Sequence, residues 1–302
     1  MIRKLVATYS VVAHDEQQMG AAVQSHFFSV GSVVPWARAG VGVVCTQSIV
    51  NVDAGPQILA LLELGVSAHE ALSMVVSADA QRDYRQIAAM SATGSVAAHT
   101  GARAIAHAGH VETAAGSFQA NMMAKPGVPE AMEAAFAATE GALSERLMAS
   151  LVAAQNAGGD IRGRQSAAIV VVARHQAIHA RQRTIVDLRV EDHPEPLHEL
   201  ERLLTLHRAY AEAELGDDAS AAGDHDAAAE HYRAATALAP DNLELRFWDG
   251  MARAARGDLA SAEQILRAVF TADPSWRELL IRLEPTGLFT VSDAVWRQLR
   301  EL

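Results

Sequence analysis

One stretch of this chain repeats itself at a fixed interval. Gly223-Asp224 recurs as Gly257-Asp258, Arg233-Ala234 as Arg267-Ala268, and Pro240 as Pro274, each pair 34 residues apart. A 34-residue period with proline closing each unit is the signature of paired helices stacked as tetratricopeptide repeats. Ala228 and Ala262 supply the small side chains that let paired helices approach. Residues 241–274 form one clear unit and 207–240 a looser one. Two units bury less surface than the three or more that a free-standing stack needs. Flanking helices at about 195–206 and 290–301 are therefore expected to cap them, or the preceding domain to cover them. The proline pair in His193-Pro194-Glu195-Pro196 marks the expected boundary, giving domains 1–193 and 194–302.

The first domain reads differently. Thr8 to Ala13 and Met19 to Ser25 are expected to form a hairpin across the polar turn His14 to Gln18. Phe27 to Ala39 reads as a loop, and Val41 to Gln47 as a buried strand. Two helices follow, Gly55 to Leu64 and one running to about Ser77 that Ser67 and Glu70 start as a capping box. Strands are then expected at Gln86 to Met90, Ser95 to Ala98 and Arg103 to Ala108. A second helix pair occupies Val128 to Thr139 and Leu143 to Ala157. Strands Ser166 to Ala173 and Thr184 to Val190 close the domain. Strand blocks separated by helix pairs predict an α+β fold, a four-layer αββα sandwich followed by a small all-α domain. The one-strand-one-helix alternation of a doubly wound fold is not followed.

Composition narrows the chemistry. The net charge of -11 opposes binding to a phosphate backbone, so nucleic acid is not an expected partner. The single cysteine, Cys45, allows no internal disulfide and no thiolate cage. It lies in an apolar run and reads as a buried small hydrophobe rather than a nucleophile. The N-terminal pair Arg3-Lys4 is followed by no long apolar region, and no stretch reaches the roughly 18 residues of a membrane span. A cytoplasmic protein without a membrane partner is the expectation.

Many short motifs occur together in one order. They are Thr8-Tyr9-Ser10-Val11-Val12-Ala13, Ala22-Val23-Gln24-Ser25, Gly31 to Ala37, Gly40-Val41-Gly42, Thr46-Gln47, Gly101-Ala102-Arg103, Ala108-Gly109-His110, Gln119 with Asn121-Met122, Arg162 to Ala168, and Asp187 to Val190. This set resembles the DUF1028 family over about residues 8–193. The resemblance implies a fold similar to the N-terminal-nucleophile (Ntn) hydrolases and leaves the activity unassigned. Members often carry a peptidoglycan-binding-like C-terminal module. The repeats here depart from that, so a wall-binding role is not expected.

An Ntn hydrolase attacks an amide with the side chain of its first residue and uses that residue's own amine as base. By resemblance Thr8 is that residue. Seven residues precede it, and a peptide nitrogen is no base, so Thr8 acts only after cleavage between Ala7 and Thr8 or from a later translation start; otherwise it is an ordinary strand threonine. The stretch from Tyr9 up to Lys125 holds no lysine, unlike a proteasome-type site. Asn121 and Gln119 are candidate oxyanion donors, with loop hydrogen bonding as the plain reading. Arg162 and Arg164 suit a substrate carboxylate, or else a salt-bridged turn. The expected substrate-binding set is Ser25, Gln47, His99, Arg162, Arg164 and Ser166. Ser25 and His26 point to opposite faces of a strand and form no dyad. His99, His107 and His110 lack the carboxylate spacing of a metal site, so neither a metal nor another cofactor is expected.

Two functions follow. One is an Ntn-type amidohydrolase acting on a small amide or peptide-like molecule. The other is a non-catalytic small-molecule-binding or protein-interaction module on the same fold. In either case residues 194–302 are expected to take a protein partner or to drive homo-oligomerisation.

Overall fold

The computed structural model describes residues 5–175, 183–287 and 291–302; the basic pair Arg3-Lys4 lies outside them. The chain divides into two compact units, 1–201 and 202–302.

The first unit holds two antiparallel sheets. The five-stranded one contains β1 (Leu5–Val6), β4 (Pro35–Arg38), β5 (Gly42–Ile49), β6 (Arg85–Ser91) and β7 (Val96–Thr100). β4 and β1 lie along the same edge of β5, against Gly42–Cys45 and Ser48–Ile49 respectively. The six-stranded sheet runs β11 (Thr184–Val190), β10 (Ser166–Ala173), β3 (Gln18–Ser25), β2 (Thr8–His14), β9 (Gly116–Asn121), β8 (Gly109–Thr113). Helices α1 (Ala54–Glu63) and α2 (Ala68–Ala78) cover the first sheet, burying Ile58, Leu59, Leu62 and Leu72 against Val44, Ile87 and Ala89. Helices α3 (Val128–Ala138) and α4 (Leu143–Asn156) pack on the second, where Phe118 meets Phe136 at 5.4 Å. The Ser67–Glu70 capping box starts α2 as its sequence predicts.

Between the sheets lies the third apolar layer: Val12, Met19, Val23, Val43, Cys45, Ala88, Met90, Ala168 and Val172. The domain is thus a four-layer αββα sandwich. Cys45 is fully buried there, and burial pushes its thiol up to about 12.

Three local expectations change. Residues 101–108 form no strand, because Ile105 is their one large apolar side chain and it is exposed, leaving no face to bury. The strands lie further on, at β8 and β9. Within Phe27–Ala39 the chain makes a 3-10 turn, Val30–Ser32, and the edge strand β4, which starts on Pro35 where its missing N–H is harmless. The helix expected at 195–206 continues into the first repeat as one helix, α5 (Pro196–Ala221).

The second unit continues with α6 (His225–Leu238), α7 (Leu243–Arg256), α8 (Leu259–Ala272), α9 (Ser275–Leu283) and α10 (Asp293–Arg300). The repeated Gly-Asp pairs are its turns. Gly223 and Gly257 take positive φ, and Asp224 and Asp258 cap the next helix by accepting from Ala227 and Ser261 backbone N–H groups. A further pair obeys the period: Gly216 lies against the Tyr232 ring, and Gly250 against Leu266. Phe247, Met251, Leu266, Val269, Leu280 and Trp296 form the core.

Candidate functional site

The two sheets part company in polarity along their length. At one end the space between them is hydrocarbon. At the other, the inward positions are Thr8 and Ser10 on β2, Ser25 on β3, Gln47 on β5, Gln86 on β6, and Ser117, Gln119 and Asn121 on β9, all essentially buried. The alternation of each strand puts them on that face. Thr8 stands opposite both Ser25 and Asn121, and Ser10 opposite Gln119.

These side chains bond to one another. Ser117 Oγ donates to Gln119 Oε1 (3.0 Å), Gln119 Nε2 to Ser10 Oγ (2.7 Å), and Ser10 Oγ to Gln47 Oε1 (2.7 Å). Gln47 Nε2 and Asn121 Nδ2 both donate to Gln86 Oε1, at 2.7 and 3.0 Å, and both also reach the Thr8 carbonyl, at 3.4 and 3.3 Å. Gln86 Nε2 faces Thr100 Oγ1, Gly109 O and Ala120 O at 2.9–3.0 Å. Gln86 therefore ties one sheet to the other. A buried amide chain of this kind persists because nearly every member is satisfied. The exception here is Asn121 Oδ1, which is buried with no hydrogen-bond partner.

Thr8 itself is fully buried, and its hydroxyl donates to Val6 O at 2.9 Å. Its nitrogen is peptide-linked to Ala7, also fully buried. The Ala7 carbonyl accepts from Ser25 Oγ at 2.5 Å and from Arg162 Nη2 at 3.2 Å. Arg162 is aimed by Asp160, whose buried carboxylate accepts from Arg162 Nε (3.1 Å), Nη2 (2.8 Å) and backbone N (2.9 Å), and from the His26 backbone N (3.0 Å). The carbonyl of one peptide bond, Ala7–Thr8, is thus polarised by a hydroxyl and a guanidinium, a pairing suited to a developing oxyanion. Behind the sheet, Tyr9 donates to Gln155 Oε1, and burial together with Asp160 raises its phenol well above the usual range.

Three non-glycine residues with positive φ gather at this end: Ser29 just beyond β3, Ser48 opposite Val6, and Met122 directly after Asn121. Such conformations cluster at functional sites. A cavity of about 490 Å3 opens beside the amide chain, with Thr100, Gly109, His107, Met123, Lys125 and Glu130 in its wall. Thr100 links it inward to Gln86 and outward to His110 Nδ1 at 2.8 Å.

Of the residues expected at the site, Thr8, Ser25, Gln47, Gln119, Asn121 and Arg162 come together. Ser166 stands opposite Ser25 on the neighbouring strand β10, while His99 and Arg164 are engaged with other partners. His99 is bonded to the Arg82 carbonyl, Arg164 pairs with Glu195, and Ser166 donates to Phe27 O and accepts from Val30 N, holding the turn after β3. His26 is exposed and contributes only its backbone N–H. Asp160, Gln86 and Ser10 were not singled out by sequence reasoning. Alternation with Thr8 along the otherwise apolar strand β2 is the signal that finds Ser10. Among the described residues no group of three metal-binding side chains occurs, and no helix is long and apolar enough to cross a membrane.

A family model described as "Family of unknown function (DUF1028)" matches residues 8–200, and a tetratricopeptide-repeat model matches 219–282. The crystal structure of protein SPO2555 from Silicibacter pomeroyi, assigned to DUF1028, superposes with a TM-score of 0.59 at 34% identity. The match spans 66% of this chain and 84% of that one. No curated protein matches.

Proposed function

Because the chain belongs to the DUF1028 family, whose function is unknown, its activity has to be read from geometry, and we propose that it is an Ntn-type amidohydrolase. Its nucleophile is Thr8, released by cleavage of the Ala7–Thr8 bond. The observation that carries this reading is the double hydrogen bond on the Ala7 carbonyl from Ser25 Oγ and Arg162 Nη2.

In the cleavage step, Thr8 Oγ attacks the Ala7 carbonyl carbon. Its proton passes to the Thr8 nitrogen as the C–N bond breaks, leaving an ester on Thr8. Water then hydrolyses the ester, giving an Ala7 carboxylate, the free hydroxyl and a free amine. That amine titrates near 7.7–8.0 when unperturbed and serves as the base at neutral pH. Asn121 Oδ1, buried without a donor beside the Thr8 backbone, offers an acceptor to hold it. Ser25 and Arg162 then serve the substrate carbonyl as they serve Ala7. Arg162 acts as a carbonyl donor rather than a carboxylate anchor, since Asp160 already neutralises it.

The second reading is a non-catalytic binding or interaction module. It is favoured by the pairing of Leu5–Val6 with Ser48–Ile49, which stitches the leading segment into the sandwich. Turnover of an amide library by the purified protein, with Thr8→Ala as control, separates the two. Activity in the wild type that Thr8→Ala abolishes supports the hydrolase; inert protein in both forms supports the module. The repeat domain supports a protein-interaction role, with a protein partner or self-association through residues 194–302.

A further inference from the structure

The segment that leaves in the proposed cleavage also describes what enters afterwards. Its last three residues are bound as a substrate would be. Leu5 and Val6 pair antiparallel with Ile49 and Ser48, continuing the edge of β5. Val6 is fully buried in the layer between the sheets, and Ala7 is fully buried at the reacting carbonyl. The carbonyl itself lies on the two donors.

We infer that the substrate is a neutral, extended peptide or peptidyl amide whose acyl part carries a small residue at the scissile carbonyl and a branched apolar residue before it. The inference rests on the proposed Thr8 cleavage and deepens it. Departure of residues 1–7 uncovers the edge of β5 at Ser48 and Ile49, where Leu5 and Val6 had paired. A free strand edge takes up an extended peptide by main-chain hydrogen bonds, and the flanking pockets select its side chains. Ala7 is fully buried, so its place is filled by a methyl group; alanine or glycine fits there and an aromatic residue overpacks it. Charge argues the same way. Arg162 is paired with Asp160 and Arg164 with Glu195, so neither guanidinium calls for an acidic acyl group.

In turnover, Thr8 Oγ attacks the peptide carbonyl carbon while the Thr8 amine takes its proton and passes it to the leaving amine. The C–N bond breaks and an acyl ester remains. Water adds to the ester carbonyl, restoring the hydroxyl and releasing a peptide carboxylate. Each atom comes from chain, substrate or water.

The test uses the full chain as purified, its mass recorded first. Acetyl-Leu-Val-Ala-p-nitroanilide is compared with the Leu-Val-Phe analogue and with glutaryl-p-nitroanilide. The expected result is hydrolysis of the alanyl substrate with kcat/KM at least about tenfold above the phenylalanyl one, no turnover of the glutaryl compound, and competitive inhibition by acetyl-Leu-Val-Ala. A chain shortened to Thr8 that ignores the alanyl peptide, or prefers the glutaryl compound, overturns the inference and leaves the cleavage reading standing. A chain that keeps residues 1–7 overturns both, and its mass reports this before any peptide is added.

Discussion

Replacing Arg162 by glutamine separates what that residue does for stability from what it does for chemistry. The Asp160 side chain is wholly buried, while that of Arg162 is 29% exposed. Removing one partner of a buried pair costs about 3–5 kcal/mol, because the other charge stays behind. Here the backbone N–H groups of residues 26 and 162 still hold the carboxylate, and water reaches the vacated side. A loss of about 2–4 kcal/mol follows. The same substitution removes one of two donors on the Ala7 carbonyl. Loss of one such donor slows acyl chemistry about 100-fold or more. Ser25→Ala is the companion variant. It removes the other donor with no buried charge left over, so stability falls by only about 1 kcal/mol while cleavage slows comparably. Urea unfolding measures the first quantity. A time course of intact mass after cell-free translation measures the second. If both variants shed residues 1–7 as fast as the wild type, the bonds to Ala7 are structural and the reasoning fails.

Three further outcomes follow from the packing. Gln86→Leu strips the acceptor shared by Gln47 and Asn121 and the donor reaching Ala120 O; it should cost about 2–4 kcal/mol by urea unfolding, and a neutral result would mean the amide chain does not join the sheets. Cys45, held near 12 by burial, should resist iodoacetamide at pH 8 in the folded protein. Because the unfolded thiol titrates near 8.5, its stabilising contribution is complete below that value and is lost as pH rises toward 12; ready alkylation of native protein would contradict its placement. In the repeats, valine at Gly216 meets the rigid Tyr232 ring, and valine at Gly250 meets the flexible end of Leu266. Gly216→Val should therefore lower the helical melting transition by circular dichroism more than Gly250→Val, and the reverse order would contradict the assigned repeat register.

The fold was legible where burial follows ordinary rules. β10 is apolar on both faces and β11 alternates, with Val186, Leu188 and Val190 on the face opposite Asp187 and Arg189, and the repeat period gave the Gly-Asp turns and the closing prolines. β9 was not legible, because its pattern is inverted. Ser117, Gln119 and Asn121 point inward and Phe118 points to the helices, so polarity marks the interior at this end of the sandwich. Conversely, the alternation around Ile105 mimics a strand with no sheet to receive it. At the site, Thr8, Ser25, Gln119 and Asn121 were readable through the ordered short motifs that carry the family resemblance. Gln86 and Asp160 were not, since each matters only through contacts between residues far apart in sequence: Gln86 with Asn121, and Asp160 with His26.

The central claim is that the Ala7–Thr8 bond is cut by its own threonine. Intact mass of the purified full-length protein, beside Thr8→Ala, tests it most directly. The account predicts a wild-type chain beginning at Thr8 and a Thr8→Ala chain that keeps residues 1–7. A wild-type chain that retains its leading segment after prolonged incubation would contradict it.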